Sequence, residues 1–293
     1  MPSAGDYPAL RGPLPLTFAH RGGSGLWPEN TLEAFRGALQ LGCSHLETDV
    51  RMTRDGELVL FHDASLERTT NGRGEVGAYT LAELERLDAG YHFTTDGKSF
   101  PWRGRGLRIP TFAELVAAAP NVCFNVEIKE RARDLPGALV AFIERQGLAE
   151  RIVVAAERHP LGRDFRRLSG GHIATSASRR ECLEFWLASR LRLTGLLPLT
   201  GKPLPYQALQ IPVRAGNVTL VTPRLLDAAH RAGLAVHVWT IDDPKQMVRL
   251  LDLGVDGLMS DYPDRLRGVV VERSQPVHHA RPAPAEGRVN TLR

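Results

Sequence analysis

The stretch that decides the fold runs from residue 16 to residue 63. It opens with LTFAHRGG at residues 16–23, continues through ETDV at 47–50, and closes with LVLFHD at 58–63. A short apolar run ends abruptly in His-Arg-Gly, two carboxylates follow at a spacing of two, and a His-Asp pair completes the segment. This pattern predicts that buried strands deliver polar groups to one place, where an active site is assembled.

The bulk composition is typical of a globular protein with a sizeable core. The chain has 293 residues, 43% of them hydrophobic and 24% charged, and a single α/β barrel of about 250 residues would account for most of that length. The formal net charge is only +4, and the arginines are scattered. Because nucleic-acid binding proteins concentrate basic residues in patches, we expect no nucleic-acid partner.

We expect a cytoplasmic protein without a stable membrane anchor. The first fifteen residues lack the basic start and apolar core of a signal peptide. No apolar run reaches the ~18 residues that a spanning helix needs. The three cysteines are widely spaced and odd in number, which argues against a disulfide framework. The sequence leaves the oligomeric state unknown.

Hydrophobic periodicity and turn signals predict a regular alternation of strands and helices. We predict strands over residues 16–19, a segment ending at 50, 57–61, 122–128, 152–156, 173–175, 208–213, 235–240 and 257–259. We predict helices over residues 32–41, 80–87, 111–119, 136–145, 164–168, 180–191, 223–232, 244–253 and a short one from 263. About eight strand–helix units make the (β/α)8 barrel, or TIM barrel, the expected fold over residues 16–270.

Two segments depart from this alternation. Residues 64–110 are irregular and rich in turn signals, with room for one short helix, and such a long excursion is typical of a functional segment. Residues 271–293 lose periodicity and are rich in Pro, Ala and Arg, so we expect a disordered tail.

Acidic residues lie at the ends of two neighbouring predicted strands. Glu47 and Asp49 stand at i and i+2 and therefore point to the same face, and Glu127 and Lys129 repeat that spacing on the next barrel strand. The alternative for any one acid is an ion pair, such as Glu127 with Lys129. Three converging carboxylates instead favour a hard divalent cation, Mg²⁺ or Ca²⁺, which prefers all-oxygen ligation.

Other side chains near these strand ends suit acid–base and anion chemistry. His20 and His62 flank the acidic cluster and are the candidate general acid and base, because histidine titrates near neutral pH. Arg21 follows His20 and could hold an anion such as phosphate, with a salt bridge as its alternative. Lys129 could meet an anionic oxygen. Trp239, at the end of a strand, could form an apolar wall for substrate or simply cap the core.

Taken together in their order, these blocks resemble the glycerophosphodiester phosphodiesterase family. The matching blocks are AHRGG at 19–23, PENTLEAF at 28–35, ETDV at 47–50, TRDG at 53–56, HD at 62–63, LERTTNG at 66–72, IPT at 109–111, NVEIK at 125–129, VWT at 238–240 and SDYP at 260–263. The resemblance runs from about residue 16 to 266. No single block is specific, but their joint order is.

The resemblance implies a TIM barrel with an inserted segment after the second strand, here residues 64–110. It also implies metal ligation by Glu47, Asp49 and Glu127 and acid–base catalysis by His20 and His62. Its phosphate-contacting positions match Arg21 and Lys129.

The expected function is metal-dependent hydrolysis of a small-molecule glycerophosphodiester to glycerol 3-phosphate and an alcohol. One alternative is a lysophospholipase D-like activity, in which Phe93, Phe100 and Trp102 of the insertion would receive an acyl chain or else pack the insertion on the barrel. A second alternative is a non-catalytic binding protein on the same fold.

Overall fold

The computed structural model describes residues 3–130, 134–194 and 204–274. Within these ranges the strands are β1 Leu16–Ala19, β2 His45–Met52, β3 Leu58–Leu60, β4 Cys123–Ile128, β5 Ile152–Ala155, β6 Ala174–Thr175, β7 Ala208–Pro212, β8 Arg214–Ala215, β9 Val218–Thr219, β10 Ala235–Trp239 and β11 Gly257–Ser260. The α-helices are α1 Leu32–Gln40, α2 Leu81–Leu84, α3 Phe112–Ala118, α4 Leu135–Gln146, α5 His159–Leu168, α6 Arg179–Leu191, α7 Pro223–Arg231, α8 Pro244–Leu253 and α9 Pro263–Ser274.

Eight of these strands form the predicted TIM barrel. Their order around the sheet is β6-β5-β4-β2-β1-β11-β10-β7, and all neighbouring pairs in this path are parallel. A parallel bridge between Ser176 and Ala208 joins β6 to β7 and closes the circle. β3 lies outside the circle and pairs antiparallel with β2. The (β/α)8 prediction is therefore confirmed.

The helices cover the outside of the barrel, and side chains directly before several of them cap their first turns. Thr31 Oγ1 accepts a hydrogen bond from the backbone N–H of Ala34 at the start of α1. Thr111 and Ser178 form capping boxes with the glutamates three residues later, at the starts of α3 and α6. Such caps satisfy N–H groups that the first helical turn leaves without a partner. No helix in the described ranges is long and apolar enough to cross a bilayer.

Two predicted helices need correction, and one element was not predicted. Helix α5 begins at His159, earlier than the predicted residue 164, because Pro160 occupies its first turn, where a missing N–H costs nothing. The hairpin β8–β9 was not predicted, since each strand has only two residues. Helix α9 is longer than expected and runs to Ser274, beyond the predicted domain boundary at 270. The rest of the predicted disordered tail lies outside the described residues.

The insertion between β3 and α3 has a small hydrophobic cluster of its own. Leu66, Val76 and Leu84 are fully buried there and pack with Val59 of β3 and with Ile109. The short helix α2 lies within the predicted 80–87 range. This cluster fixes the insertion on the outer strand, so that the residues directly after β3 stay at the barrel mouth.

The N-terminal strip, residues 4–10, packs at one end of the barrel. Tyr7, Ala9 and Leu10 are buried against small residues of β5, β6, β7 and β10. The N–H of Ala4 donates to the carbonyl oxygen of Gly233 at 2.7 Å. The carbonyl oxygen of Ala9 lies 2.8 Å from Nε2 of the buried His45. The strip therefore binds to elements that are far from it in sequence.

Candidate active site

The turn after β1 presents His20 and Arg21 at the carboxyl ends of the barrel strands. Arg21 has a left-handed backbone with φ 51°, a conformation that is uncommon outside glycine. Gly22 also has a positive φ, and a Cβ there would lie 2.7 Å from Cβ of Ala34 in α1. The sharp turn therefore requires glycine after the His-Arg pair, which explains the His-Arg-Gly motif at residues 20–22.

The three predicted metal-binding carboxylates converge beside this turn. Asp49 of β2 is the register partner of Glu127 in β4, and Glu47 lies two residues before it on the same face. One carboxylate oxygen from each of the three lies within 4.8 Å of the others. Glu47 and Asp49 are buried, with 3% and 1% exposure. Burial of two acids side by side demands compensating charge or a cation.

Part of that compensation comes from Arg21 and Lys129. The Nζ atom of Lys129 lies 3.0 Å from Asp49 Oδ1 and donates to Glu127 Oε2 at 2.6 Å. Nε of Arg21 lies 3.5 Å from Asp49 Oδ2. Burial opposes ionisation of Asp49, but Lys129 and Arg21 outweigh it and lower the pKa of that carboxyl. Both predicted phosphate contacts thus lie against the acidic cluster.

Glu47 is less well compensated. Burial, reinforced by the neighbouring charge of Asp49, raises the pKa of Glu47 to about 7. Its Oε2 accepts one hydrogen bond, from the backbone N–H of Arg21 at 2.8 Å. Nε2 of His20 is 3.9 Å from the same oxygen. The three carboxylates of the cluster therefore outnumber the two cations, Arg21 and Lys129, that contact them. This excess of negative charge is expected of a cation site.

The first histidine is held by an aspartate from the opposite end of the sequence. Nδ1 of His20 lies 2.6 Å from Oδ1 of Asp261, the residue directly after β11. Ser24 donates to the same carboxylate oxygen at 2.5 Å. Burial would lower the pKa of His20, but the carboxylates of Glu47 and Asp261 more than offset it and raise that pKa. The contact leaves Nε2 of His20 on the side of the acidic cluster.

The second histidine is held by the residue next to it. Nδ1 of His62 lies 2.6 Å from Oδ1 of Asp63. Nε of Arg68 in turn donates to Oδ2 of Asp63 at 2.5 Å. Arg51 donates to the carbonyl oxygen of His62 through Nε at 3.1 Å and through its terminal nitrogen at 2.7 Å. The ring and the backbone of His62 are therefore both fixed.

A chain of ion pairs links the two histidine turns. The terminal nitrogens of Arg68 donate to both oxygens of Glu29 at 2.7 Å each. Glu29 Oε1 accepts a further hydrogen bond from Arg21 at 3.1 Å. Bidentate arginine–carboxylate pairs are geometrically specific. The start of the insertion is thereby connected to the turn after β1.

Trp239 and a cavity complete the barrel mouth. Trp239 ends β10 and is 41% exposed, so it caps no core. It lines a cavity of about 440 Å³ that also includes Glu127 of the acidic cluster. A second cavity of about 360 Å³ is lined by His62, Lys129 and Glu127 among others. The structure thus brings all eight predicted site residues to one end of the barrel.

Several residues at this site were given no catalytic or binding role from the sequence. Asp261 contacts His20, Arg51 donates to the carbonyl oxygen of His62, and Arg68 donates to Asp63 beside His62. Asn30, for which the sequence suggested only a hydrogen bond within the first loop, donates to Asp49 Oδ2 at 2.9 Å. The position of Asp261 directly after the last strand was a usable signal, because such residues meet at the mouth. No sequence pattern around Arg68 indicates that its side chain contacts Glu29, which lies 39 residues earlier in the chain.

The donor set fits an oxygen-bound divalent cation. Three carboxylates from two adjacent strands offer oxygens only, without a cysteine or a directly contacting histidine among the described ligand candidates. Oxygen donors in this number, completed by water or substrate, suit Mg²⁺ or Ca²⁺ rather than zinc. The raised pKa of Glu47 agrees with this assignment, because a cation would favour its ionised form.

Comparisons with known proteins give one family. The sequence model of the glycerophosphoryl diester phosphodiesterase family matches residues 20–265. The glycerophosphodiester phosphodiesterase of Caldanaerobacter subterraneus subsp. tengcongensis is 32% identical over 261 residues, which cover 87% of this chain and 97% of the relative.

Two solved structures are also similar. The glycerophosphoryl diester phosphodiesterase domain of a Mycobacterium tuberculosis protein superposes with a TM-score of 0.76, at 23% identity, over 87% of this chain and 98% of that one. An Oleispira antarctica phosphodiesterase, solved in complex with the product sn-glycerol-3-phosphate, gives a TM-score of 0.67 at 26% identity, over 88% of this chain and 97% of that one.

Proposed function

The chain belongs to the glycerophosphoryl diester phosphodiesterase family, and we propose that it hydrolyses glycerophosphodiesters to glycerol 3-phosphate and an alcohol by metal-assisted acid–base catalysis. The relative at 32% identity is named as an enzyme of this activity, which counts against the binding-protein alternative. The product complex of the Oleispira antarctica enzyme supports glycerol 3-phosphate as the product here.

One observation carries the proposal. The acidic cluster Glu47, Asp49 and Glu127 lies between two histidines, and each histidine binds an aspartate through Nδ1 at 2.6 Å. An aspartate on Nδ1 fixes the ring and leaves Nε2 for proton transfer. Two such histidines beside one charged centre provide both an acid and a base for a displacement at phosphorus.

The three carboxylates would hold Mg²⁺ or Ca²⁺, because one oxygen of each lies within 4.8 Å of the others. A divalent cation supplies charge that stabilises the negative phosphate oxygens as the reaction proceeds. Asn30 supports the site by donating to Asp49 Oδ2, and Thr48 donates in turn to Asn30 Oδ1 at 2.8 Å. These buried contacts orient Asp49 before any substrate binds.

Arg21 and Lys129 would contact the phosphate. Both are partly buried cations, and both have raised pKa values, because the carboxylates around each one outweigh the effect of burial. They therefore stay charged throughout the neutral range. A phosphodiester anion that enters the mouth would meet these two positive charges, which would orient it for in-line attack.

The two histidines divide the proton transfers. One Nε2 takes a proton from the attacking hydroxyl or water as the new O–P bond forms. The other donates a proton to the alcohol oxygen as its bond to phosphorus breaks. Proton gain and loss balance over the reaction, so the site returns to its starting charge after the histidines exchange a proton with solvent.

The first experiment measures glycerol 3-phosphate release from glycerophosphocholine by the purified protein. The release is measured for the untreated protein, for the protein after treatment with EDTA, and for the treated protein after addition of Mg²⁺ or Ca²⁺ alone. We expect EDTA to abolish the activity and one of the two ions to restore it. Undiminished activity after exhaustive chelation, with metal content checked by elemental analysis, would refute the role given to the carboxylates.

The roles of the histidines need a separate experiment. We expect His20→Ala and His62→Ala each to reduce kcat by about a hundredfold or more. Normal turnover by either variant would remove that histidine from the mechanism while leaving the metal site untouched.

A further inference from the structure

The cavity of about 440 Å³ at the barrel mouth has a composition unlike the rest of the site. One end of it is Glu127 of the acidic cluster, and the wall beyond is built mainly by β5, β7, α6 and the β8–β9 hairpin. Its apolar lining includes Leu183, Trp186, Leu209, Ile211, Pro212 and Trp239. This apolar cavity thus borders the acidic cluster, where the phosphodiester would bind.

The polar groups in this wall are already bound by the protein. Nε2 of Gln210 donates to Asn125 Oδ1 at 2.6 Å. The Cys182 thiol donates to the carbonyl oxygen of Ala177, and burial raises the pKa of that thiol to about 12, so it stays neutral. Arg179 and Glu157 pair with each other at 3.6 Å and are largely exposed at the rim. The wall therefore offers little to a polar ligand.

The insertion does not supply this surface. Phe93, Phe100 and Trp102, which the sequence suggested as the receiving aromatics, are absent from the cavity lining. Phe100 lies under the guanidinium of Arg103, 4.0 Å from its carbon to the ring centre. Trp102 packs against the cluster inside the insertion. Any apolar part of a substrate would be received on the opposite side of the mouth.

We propose that this cavity binds an apolar chain carried by the substrate, so that the protein prefers phosphodiesters with an alkyl or acyl chain to glycerophosphocholine. This inference rests on the proposed function. A volume of about 440 Å³ lies within the range of small-molecule sites, which are about 300–1,000 Å³. The chain could be attached to the glycerol, as in a single-chain lysophospholipid, or to the leaving alcohol. Both present the same chemistry to the wall.

Leu183 of α6 makes a direct test possible. It lines the cavity, yet 55% of its surface is exposed, so a substitution there leaves the core intact. Leu187, one turn later on the same helix, is 46% exposed and is not part of the lining. Leu183→Asp and Leu187→Asp are therefore matched variants of one helix that differ in access to the cavity.

The experiment compares kcat/KM for three soluble substrates: glycerophosphocholine, 1-octanoyl-glycerophosphocholine and glycerophospho-octanol. Each methylene that the wall buries contributes up to about fourfold. We expect at least one octyl substrate to exceed glycerophosphocholine by tenfold or more, and the identity of that substrate tells where the chain is attached. We expect Leu183→Asp to reduce this preference at least fivefold and Leu187→Asp to change it by less than twofold.

Binding of octylphosphocholine, followed by tryptophan fluorescence, gives a readout that needs no turnover. It should be weakened by Leu183→Asp only. Equal kcat/KM for all three substrates, or binding that follows the choline group rather than the chain, would overturn the inference and leave the proposed function standing. Failure to hydrolyse any substrate, glycerophosphocholine included, is the distinct result that overturns the proposed function.

Discussion

Two pairs of histidines in this barrel differ in their surroundings: one pair contacts carboxylates at the mouth, and the other is buried in the interior. At the mouth, His20 and His62 each contact an aspartate, and the carboxylates around His20 raise its pKa. In the barrel interior, His45 and His237 are buried on either side of the Phe18 ring, with ring centres 4.5 and 4.7 Å away. Burial lowers the pKa of His45 to about 4 and that of His237 to about 3.

The difference shows that the neighbours of a histidine, and not its presence, decide what it does. The interior pair stays neutral at any ordinary pH and serves packing. Nε2 of His237 makes no hydrogen bond to any residue in the described ranges. Each ring of the mouth pair is hydrogen-bonded to an aspartate, and both lie near the three carboxylates. Substitutions at the mouth should therefore alter turnover, whereas substitutions in the interior should alter stability.

The largest effect is expected at the acidic cluster. Glu47→Gln keeps the shape of the side chain but removes one charge from the proposed cation site. Since a bound cation contributes several kcal/mol, we expect kcat/KM to fall by about 10³-fold or more. Calorimetric titration with Mg²⁺ and Ca²⁺ should show weaker binding.

The matched control for this variant is Glu157→Gln. Glu157 lines both cavities at the mouth but is outside the acidic cluster. An equal loss in both variants would mean that general charge at the mouth, and not ligation, sets the activity.

A smaller effect separates the roles of the two mouth histidines. The p-nitrophenyl ester of glycerol 3-phosphate has a leaving group that departs without protonation. The variant that lacks the general acid should therefore recover most of its hundredfold loss on this substrate, and the variant that lacks the base should not. Steady-state kinetics of His20→Ala and His62→Ala on both substrates would assign the roles. Equal recovery in both variants would contradict the division of labour.

The next effect is expected at Arg68, which acts by positioning. It connects Asp63, the partner of His62, with Glu29, the partner of Arg21. Losing such an orienting group typically costs about tenfold, and we expect Arg68→Gln to lower kcat by that amount while KM changes little. Because the carboxylate next to His62 then loses its cation, the pH profile of kcat should also shift.

Arg108→Gln is the control for Arg68→Gln. Arg108 belongs to the same insertion and also pairs with two glutamates, Glu85 and Glu114, but it makes no contact with the site residues. A purely structural role of Arg68 would give similar losses of thermal stability in both variants and an unchanged pH profile in each.

The smallest effect concerns the interior pair and appears in stability alone. The pKa values of His45 and His237 lie below the ordinary value of 6.5. Below about pH 6.5 the unfolded chain therefore binds protons that the folded chain does not, so the free energy of unfolding falls as the pH drops towards 4. At pH 5 each histidine should cost about 2 kcal/mol.

Urea denaturation at pH 7 and pH 5 measures this cost. His45→Gln should reduce the difference between the two midpoints, and its activity at pH 7 should stay near that of the original protein. His92→Gln, at an exposed histidine of the insertion, should leave the difference unchanged. A wild-type midpoint that is the same at both pH values would show that neither interior histidine resists protonation.

The sequence predicted the barrel because its strands and helices follow strong local rules. The apolar runs before His20 and around Glu127 are strands, and the helices predicted over residues 32–41 and 111–119 are α1 and α3. Local signals failed at the hairpin β8–β9, whose strands are too short to show a period. The start of α5 was also predicted too late, because the helix begins at His159 and has Pro160 in its first turn.

The part of the site that lies on the strands was predictable, because the functional residues of such barrels lie at the carboxyl ends of the strands. That rule brought Glu47, Asp49 and Glu127 together, and the structure places their oxygens within 4.8 Å of one another. It could not identify the ion-pair chain through Arg68, which depends on how the insertion folds back over the mouth. It also missed the apolar cavity, since its lining comes from elements separated by more than eighty residues in the chain, from Glu127 to Trp239.

The N-terminal strip has a consequence for how the protein is made. Residues 4–10 pack against β5, β6, β7 and β10, the last of which begins at Ala235. The ribosome produces the strip more than two hundred residues before its final packing partner. Until then Tyr7 and Leu10 have no complete surface to cover, and one end of the barrel stays open. Residues 4–10 are therefore among the last parts of the barrel to complete their packing, although they are made long before β10.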